Sequence, residues 1–205
     1  MRVIVAGGHG QIGLRLLRLL VEHGDEGVGL IRNPDHAADL AGEALVLDLE
    51  GVDEVGPLEA DAIVFAAGAG PGSGAERKWT MDYGGAVKLM RAGVQRYVIV
   101  SAMGAADPPP EGEGDVFGEY VRAKARADQD LMASDLQWTV VRPGRLTDES
   151  GTGRVHVAER LPRGEIPRDD VARVLHAVLH EPSTVGEAFD LVSGDTPIDE
   201  ALDRL

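Results

Sequence analysis

Ala6-Gly7-Gly8-His9-Gly10-Gln11-Ile12-Gly13 is the stretch on which the fold turns. It follows an apolar run, Val3 to Ala6, that reads as a strand, and it opens a segment where Ile12, Leu16, Leu19 and Leu20 recur at helical spacing. Three glycines spaced three apart between a strand and a helix have separate tasks. Gly7 permits the tight turn, Gly10 lets backbone approach a pyrophosphate without a Cβ, and Gly13 lets helix and strand pack closely. The helix N-terminus then presents free N–H groups and the positive end of its dipole to the phosphates. Gln11 and Ile12, between the last two glycines, belong to the same expected cofactor site. His9 is expected to face solvent from the turn rather than touch a phosphate.

Outward from this turn, apolar runs alternate with helical patterns, the signature of a parallel sheet covered by helices. Strands are predicted at Val3 to Ala6, Val28 to Ile31, Ala44 to Leu47, Ala62 to Ala67, Tyr97 to Val100, Trp138 to Val141 and Phe189 to Val192. Helical stretches are predicted around Ala86, Leu89 and Met90, over Glu119 to Ala133, and from Val171 to Leu179 behind a capping Asp169 or Asp170. The expected fold is therefore α/β: a Rossmann-type doubly wound parallel sheet of about seven strands, helices on both faces, one domain over residues 1–205. Two polar stretches interrupt it, at about 103–118 and 144–167, and both follow strands at the carboxyl edge where such sheets bind ligands. One or both are expected to serve the substrate.

Composition narrows the partners. The chain has 205 residues, no cysteine and a formal net charge of −15. Disulfides, thiolate metal sites and thiol nucleophiles are excluded, and no metal is expected. So acidic a surface repels nucleic acid and anionic membranes, so neither is an expected partner, and a small molecule is. The chain enters a strand at Val3 without a signal-like segment, so a cytoplasmic location is expected. Its composition leaves the oligomeric state open.

The second strand ends in Arg32-Asn33-Pro34, with a cation where an NAD enzyme usually places an acid. Arginine suits a 2′-phosphate, which favours NADP(H) over NAD(H). Tyr120 and Lys124 lie four apart on one predicted helix, where an ammonium is expected to lower the phenol pKa and make it an acid–base group. Ser101 ends the fifth strand at the ligand edge, placed to orient a carbonyl.

With these residues goes a set of markers: Asp48-Leu49, Ala66-Ala67-Gly68, Asp82-Tyr83-x-Gly85-Ala86, Ser101-Ala102 and Arg142-Pro143-Gly144. Together they resemble the short-chain dehydrogenase/reductase superfamily, in its small atypical NAD(P)-binding, epimerase/dehydratase-like branch. The resemblance implies that Asp48 and Leu49 flank an adenine and that Ala66, Ala67 and Gly68 line the adenosine ribose and phosphate side. It also implies that Ser101, Tyr120 and Lys124 act in catalysis, with Lys124 on the nicotinamide ribose and Pro143 beside the nicotinamide. Asp82 stands where the superfamily usually has asparagine. Asp48 and Asp82 also have plain structural readings, as a strand-end cap and a helix cap. The short region after the sixth strand implies a small substrate pocket and argues against a sugar nucleotide.

The expected function is an NADP-dependent oxidoreductase that delivers hydride to a small carbonyl-like substrate. The alternatives are a flavin- or biliverdin-type reductase, a small epimerase/dehydratase-like enzyme, and an NADP(H)-binding redox sensor without turnover.

Overall fold

Each strand of the sheet's middle buries side chains on both faces, which only a helix-covered sheet can do. In the computed structural model, which describes residues 1–70, 72–112 and 115–205, the strands are β1 (Arg2–Ala6), β2 (Glu26–Ile31), β3 (Glu43–Val46), β4 (Ala62–Phe65), β5 (Arg96–Val100) and β6 (Gln137–Pro143). β7 (Arg145–Thr147), β8 (Arg154–Ala158), β9 (Glu165–Pro167), β10 (Glu187–Ser193) and β11 (Thr196–Pro197) follow. Nine of them form one sheet in the order β11-β8-β10-β6-β5-β4-β1-β2-β3, and β7 pairs with β9 apart from it. The seven predicted strands correspond to β1 through β6 and β10, all parallel.

The pleat sorts the core by parity. Val3, Val5, Ala62, Val64, Val98 and Val100 face helices α1 (Gln11–Glu22) and α5 (Arg168–His180). Ile4, Ala6, Ile63, Phe65, Tyr97 and Ile99 face α3 (Ala86–Met90) and α4 (Val116–Met132). Leu16, Leu17 and Leu20 are fully buried on α1, each a burial of about 1.5–3 kcal/mol. Arg96 is buried on β5, and it ties the sheet to the end of α5 by donating to the Gln137 and Val178 carbonyls at 2.9 Å each and to Thr139 Oγ1 at 2.8 Å. Burial pushes its guanidinium down to about 10.

Several expectations need correction. The stretch from 144 to 167 is not a loop: it supplies β7, β8 and β9, and β8 runs antiparallel to β10 and β11. Its polar alternation is that of a sheet edge with one wet face, which a search for continuous apolar runs passes over. In the other stretch, 113–114 lie outside the described residues, and from Val116 onward the chain is already α4. Neither Asp169 nor Asp170 caps α5; its N-cap is Pro167. Asp170, fully buried, accepts from the Thr152 and Gly153 N–H groups at 2.8 Å each and so holds the turn before β8. Asp169 reaches α1 instead, pairing with Arg15 Nε at 2.6 Å.

Ahead of α3 the chain makes a short α2 (Ala75–Arg77) and then a π-helical stretch over Lys78–Gly85. Such widened turns are rare and concentrate at functional sites. This one carries Lys78 and Asp82 to the carboxyl edge of the sheet.

Candidate active site

A cleft of about 1990 Å³ opens along that edge, and Gly7, Gly10, Ile12, Arg32, Asp48, Leu49, Ala66, Ala67, Gly68, Asp82, Ser101, Tyr120, Lys124 and Pro143 all line it. Ligand pockets usually hold roughly 300–1,000 Å³, and this cleft is larger because it runs from the glycine turn through the substrate side. β7, β9 and the loop between β8 and β9 wall its far end with Arg145, Arg160 and Arg163. Arg160 donates to the Ala106 carbonyl at 3.1 Å, which joins the two substrate-side segments across the opening.

The glycine turn fits a dinucleotide phosphate. Gly7 has φ +79°, and a Cβ there would lie 2.8 Å from Ala67 Cα. The N-cap of α1 is Gly10, no side chain caps the helix, and its first turn holds no acid. Its leading N–H groups thus remain for an anion at the positive end of the dipole. Gly13 and Gln11 do not line the cleft. Gly13 acts through packing, since a Cβ there would press on the Gly7 carbonyl and come within 3.0 Å of Gly8. Gln11 turns outward and accepts from Arg15. His9 is not simply solvated: it stacks on His36 at 3.7 Å between ring centroids, and its Nε2 lies 2.9 Å from Asp39.

On the adenosine side, Arg32 is largely exposed and lies 3.7 Å from Glu50. Glu50 is also held by Arg77 at 2.5 Å and by the Thr80 hydroxyl at 2.6 Å. The Arg77 hydrogen bond pulls its carboxyl below the usual range, so it stays charged beside Arg32. Asp48 both lines the cleft and accepts from the Glu50 N–H at 3.0 Å, the strand-end turn of its structural reading.

On the catalytic side, Asp82 is no helix cap. Buried within the π-helical stretch, it accepts from Ala69 N–H at 3.0 Å and lies 3.4 Å from Lys124 Nζ. Lys124, equally buried, donates to the Val100 carbonyl at 3.0 Å. Its Nζ is 6.0 Å from the centre of the Tyr120 ring, and Lys78 Nζ is 5.6 Å away. The expectation that Lys124 lowers the Tyr120 pKa is overturned: burial pushes the phenol well above its ordinary value, and the charges of Asp82 and Asp128 add to it. With Asp82 beside it, the Lys124 charge is largely compensated before it reaches the phenol.

Ser101 is buried, and its hydroxyl donates to Asp128 Oδ2 at 2.9 Å. Arg142 Nε donates to the same oxygen at 3.0 Å. A hydroxyl has one proton, so Ser101 in this state meets a ligand only as an acceptor. Burial raises the Asp128 carboxyl while Arg142 and Ser101 oppose it. Asp128 and Arg142 were not singled out as site residues from the sequence. The signal was there: Tyr120, Lys124 and Asp128 recur at four-residue spacing, which puts them on one face of α4.

Comparison with known proteins identifies the family and the fold. Residues 7–182 match the NAD(P)H-binding family. The chain is 40% identical to the Bacillus subtilis protein named uncharacterized sugar epimerase YhfK, covering 100% of both. A Bacillus halodurans structure named as an NAD-dependent epimerase/dehydratase superposes with a TM-score of 0.89 at 33% identity over 100% of both chains. The oxidoreductase YlbE of Lactococcus lactis gives 0.83 at 25% identity, covering 100% of this chain and 96% of that one.

Proposed function

This chain belongs to the NAD(P)H-binding family, and from that premise we propose an NADP-dependent oxidoreductase that reduces a carbonyl or conjugated acceptor. One observation carries the reading: the glycine turn, Arg32 and the Tyr120–Lys124 pair share one continuous cleft. The N–H groups opening α1 would hold the pyrophosphate, Arg32 the 2′-phosphate, Asp48 and Leu49 the adenine, and Lys124 the nicotinamide ribose. When bound, the cofactor supplies hydride to an electrophilic carbon. Tyr120, kept as the neutral phenol by burial, would give its proton to the acceptor oxygen. Arg160 and Arg163 at the far end favour an acceptor carrying an anionic group.

Two other readings draw on specific observations. The size of the cleft leaves room for the sugar-sized substrate that the name of the Bacillus subtilis relative implies. The engagement of Ser101 by Asp128 favours a sensor that binds NADP(H) without turnover.

The test is NADPH oxidation over carbonyl, quinone and flavin acceptors by the native chain, Tyr120→Phe and Arg32→Ala. The expected result is turnover of at least one acceptor, a loss of about 10²-fold in kcat for Tyr120→Phe, and weaker NADPH but unchanged NADH binding for Arg32→Ala. Tight NADPH binding with no turnover favours the sensor. Full activity in Tyr120→Phe removes the proton-donor role.

A further inference from the structure

The edge of the sheet opposite the cleft carries a second constellation of side chains. Asp25 directly precedes β2, His23 caps the end of α1, and His176 and His180 stand one turn apart at the end of α5. The three imidazoles form a chain, with ring centroids 4.5 Å apart for His23 and His176 and 5.0 Å for His176 and His180. They border a depression of about 380 Å³ whose rim also carries Glu181, Asp199 and Asp203.

We propose that Asp25, His176 and His180 bind a divalent transition-metal ion of the zinc class, clamping the end of α5 to the junction of α1 and β2. One ligand atom from each of the three lies within 4.8 Å of the others. The separations suit tetrahedral coordination. Bonds of about 2.0–2.2 Å place neighbouring donors about 3.4 Å apart. Asp25 Oδ2 lies 2.8 Å from His180 Nε2 and 3.7 Å from His176 Nε2, one on each side of that value.

A second observation points to an electrophile at this place. The Nε2 of His176 is buried and has no hydrogen-bond partner among the described residues. An unmet ring nitrogen facing a carboxylate is costly unless a proton or a metal lies between them. Neutral imidazole is the form that ligates. The outer partners are in place as well. The amino terminus holds Asp25 Oδ1 at 2.8 Å, leaving Oδ2 for the ion. Beside them the His23 Nδ1 bonds the Leu19 carbonyl at 2.8 Å, which fixes that ring at the end of α1.

The experiment is a calorimetric titration of zinc chloride into the full chain, with His180→Ala, His176→Gln and His36→Ala alongside. His180 is half-exposed, so its truncation leaves the core intact. His36→Ala reports on the separate His9–His36–Asp39 group at the cleft. The expected result is one ion per chain, affinity weakened more than about tenfold by either α5 substitution, and no change in His36→Ala. Zinc at a hundredfold excess over its dissociation constant should raise the thermal midpoint of the native chain by roughly 5–10 °C and leave His180→Ala unmoved. No saturable one-to-one binding overturns the proposal, as does binding that survives His180→Ala or disappears in His36→Ala. If His176→Gln does not fold, His180→Ala and the midpoint shift decide.

Discussion

Substituting Gly7 by alanine tests why the opening turn must be glycine. Two costs meet at this residue. Its φ of +79° lies in the left-handed region, which an L side chain adopts at about 1–2 kcal/mol. Its Cβ would also sit 2.8 Å from Ala67 Cα and 2.9 Å from the Ala66 oxygen, both backbone atoms that no rotamer change can move. Restoring ordinary contact needs a shift of roughly 0.6 Å between β1 and the loop after β4, an overpacking cost of about 1–3 kcal/mol. Restricting the unfolded chain returns about 0.4–1 kcal/mol. The net is near 3 kcal/mol, or roughly 6–12 °C in the midpoint for a chain of this size. Gly93 is the control: it has φ +82° and nothing within 4 Å of its Cβ. Gly93→Ala should lose only about 1 kcal/mol and bind NADPH as the native chain does. Thermal denaturation with NADPH-binding fluorescence reads both variants. If Gly7→Ala and Gly93→Ala lose equal stability and keep equal affinity for NADPH, the close approach of Gly7 to Ala67 is not what requires glycine.

Two further predictions follow from buried or rim charges. Asp128→Ala leaves the buried Arg142 guanidinium without its carboxylate and should cost about 3–5 kcal/mol, whereas adding Arg142→Met to it should recover part of the loss; chemical denaturation of the two variants checks this. Glu50 has its pKa lowered by Arg77, so the pair adds stability above the ordinary glutamate value near 4.5 and loses it as pH falls through the depressed folded value. The midpoint difference between the native chain and Glu50→Gln should therefore be present at pH 7 and shrink below about pH 4.5, as followed by thermal scans across pH.

Where sequence reading failed, it failed for two reasons. One was periodicity: β11 is a two-residue edge strand and β8, beside it, has one wet face, and their alternation is too brief to stand out from a loop. The other was distance. The raised Tyr120 pKa comes first from burial, and then from Asp82 and Asp128 arriving beside it from the π-helical stretch and from two turns along α4. The sequence showed the lysine that would lower that pKa but not the burial that outweighs it.

The amino-acid sequence by itself determined the parallel sheet, its seven parallel strands and the glycine turn. These rest on local rules: apolar runs long enough to be buried on both faces, and glycines at positions where neighbouring backbone leaves no space for a Cβ. Only the tertiary structure decided which charges meet. Asp25 and His180 lie 155 positions apart and touch because α1 and α5 cover the same face of the sheet. Ser101 is turned toward Asp128 because α4 lies over the end of β5. A side chain's partners are set by how layers stack, and the energy of stacking is spread over the whole core rather than carried by any one motif.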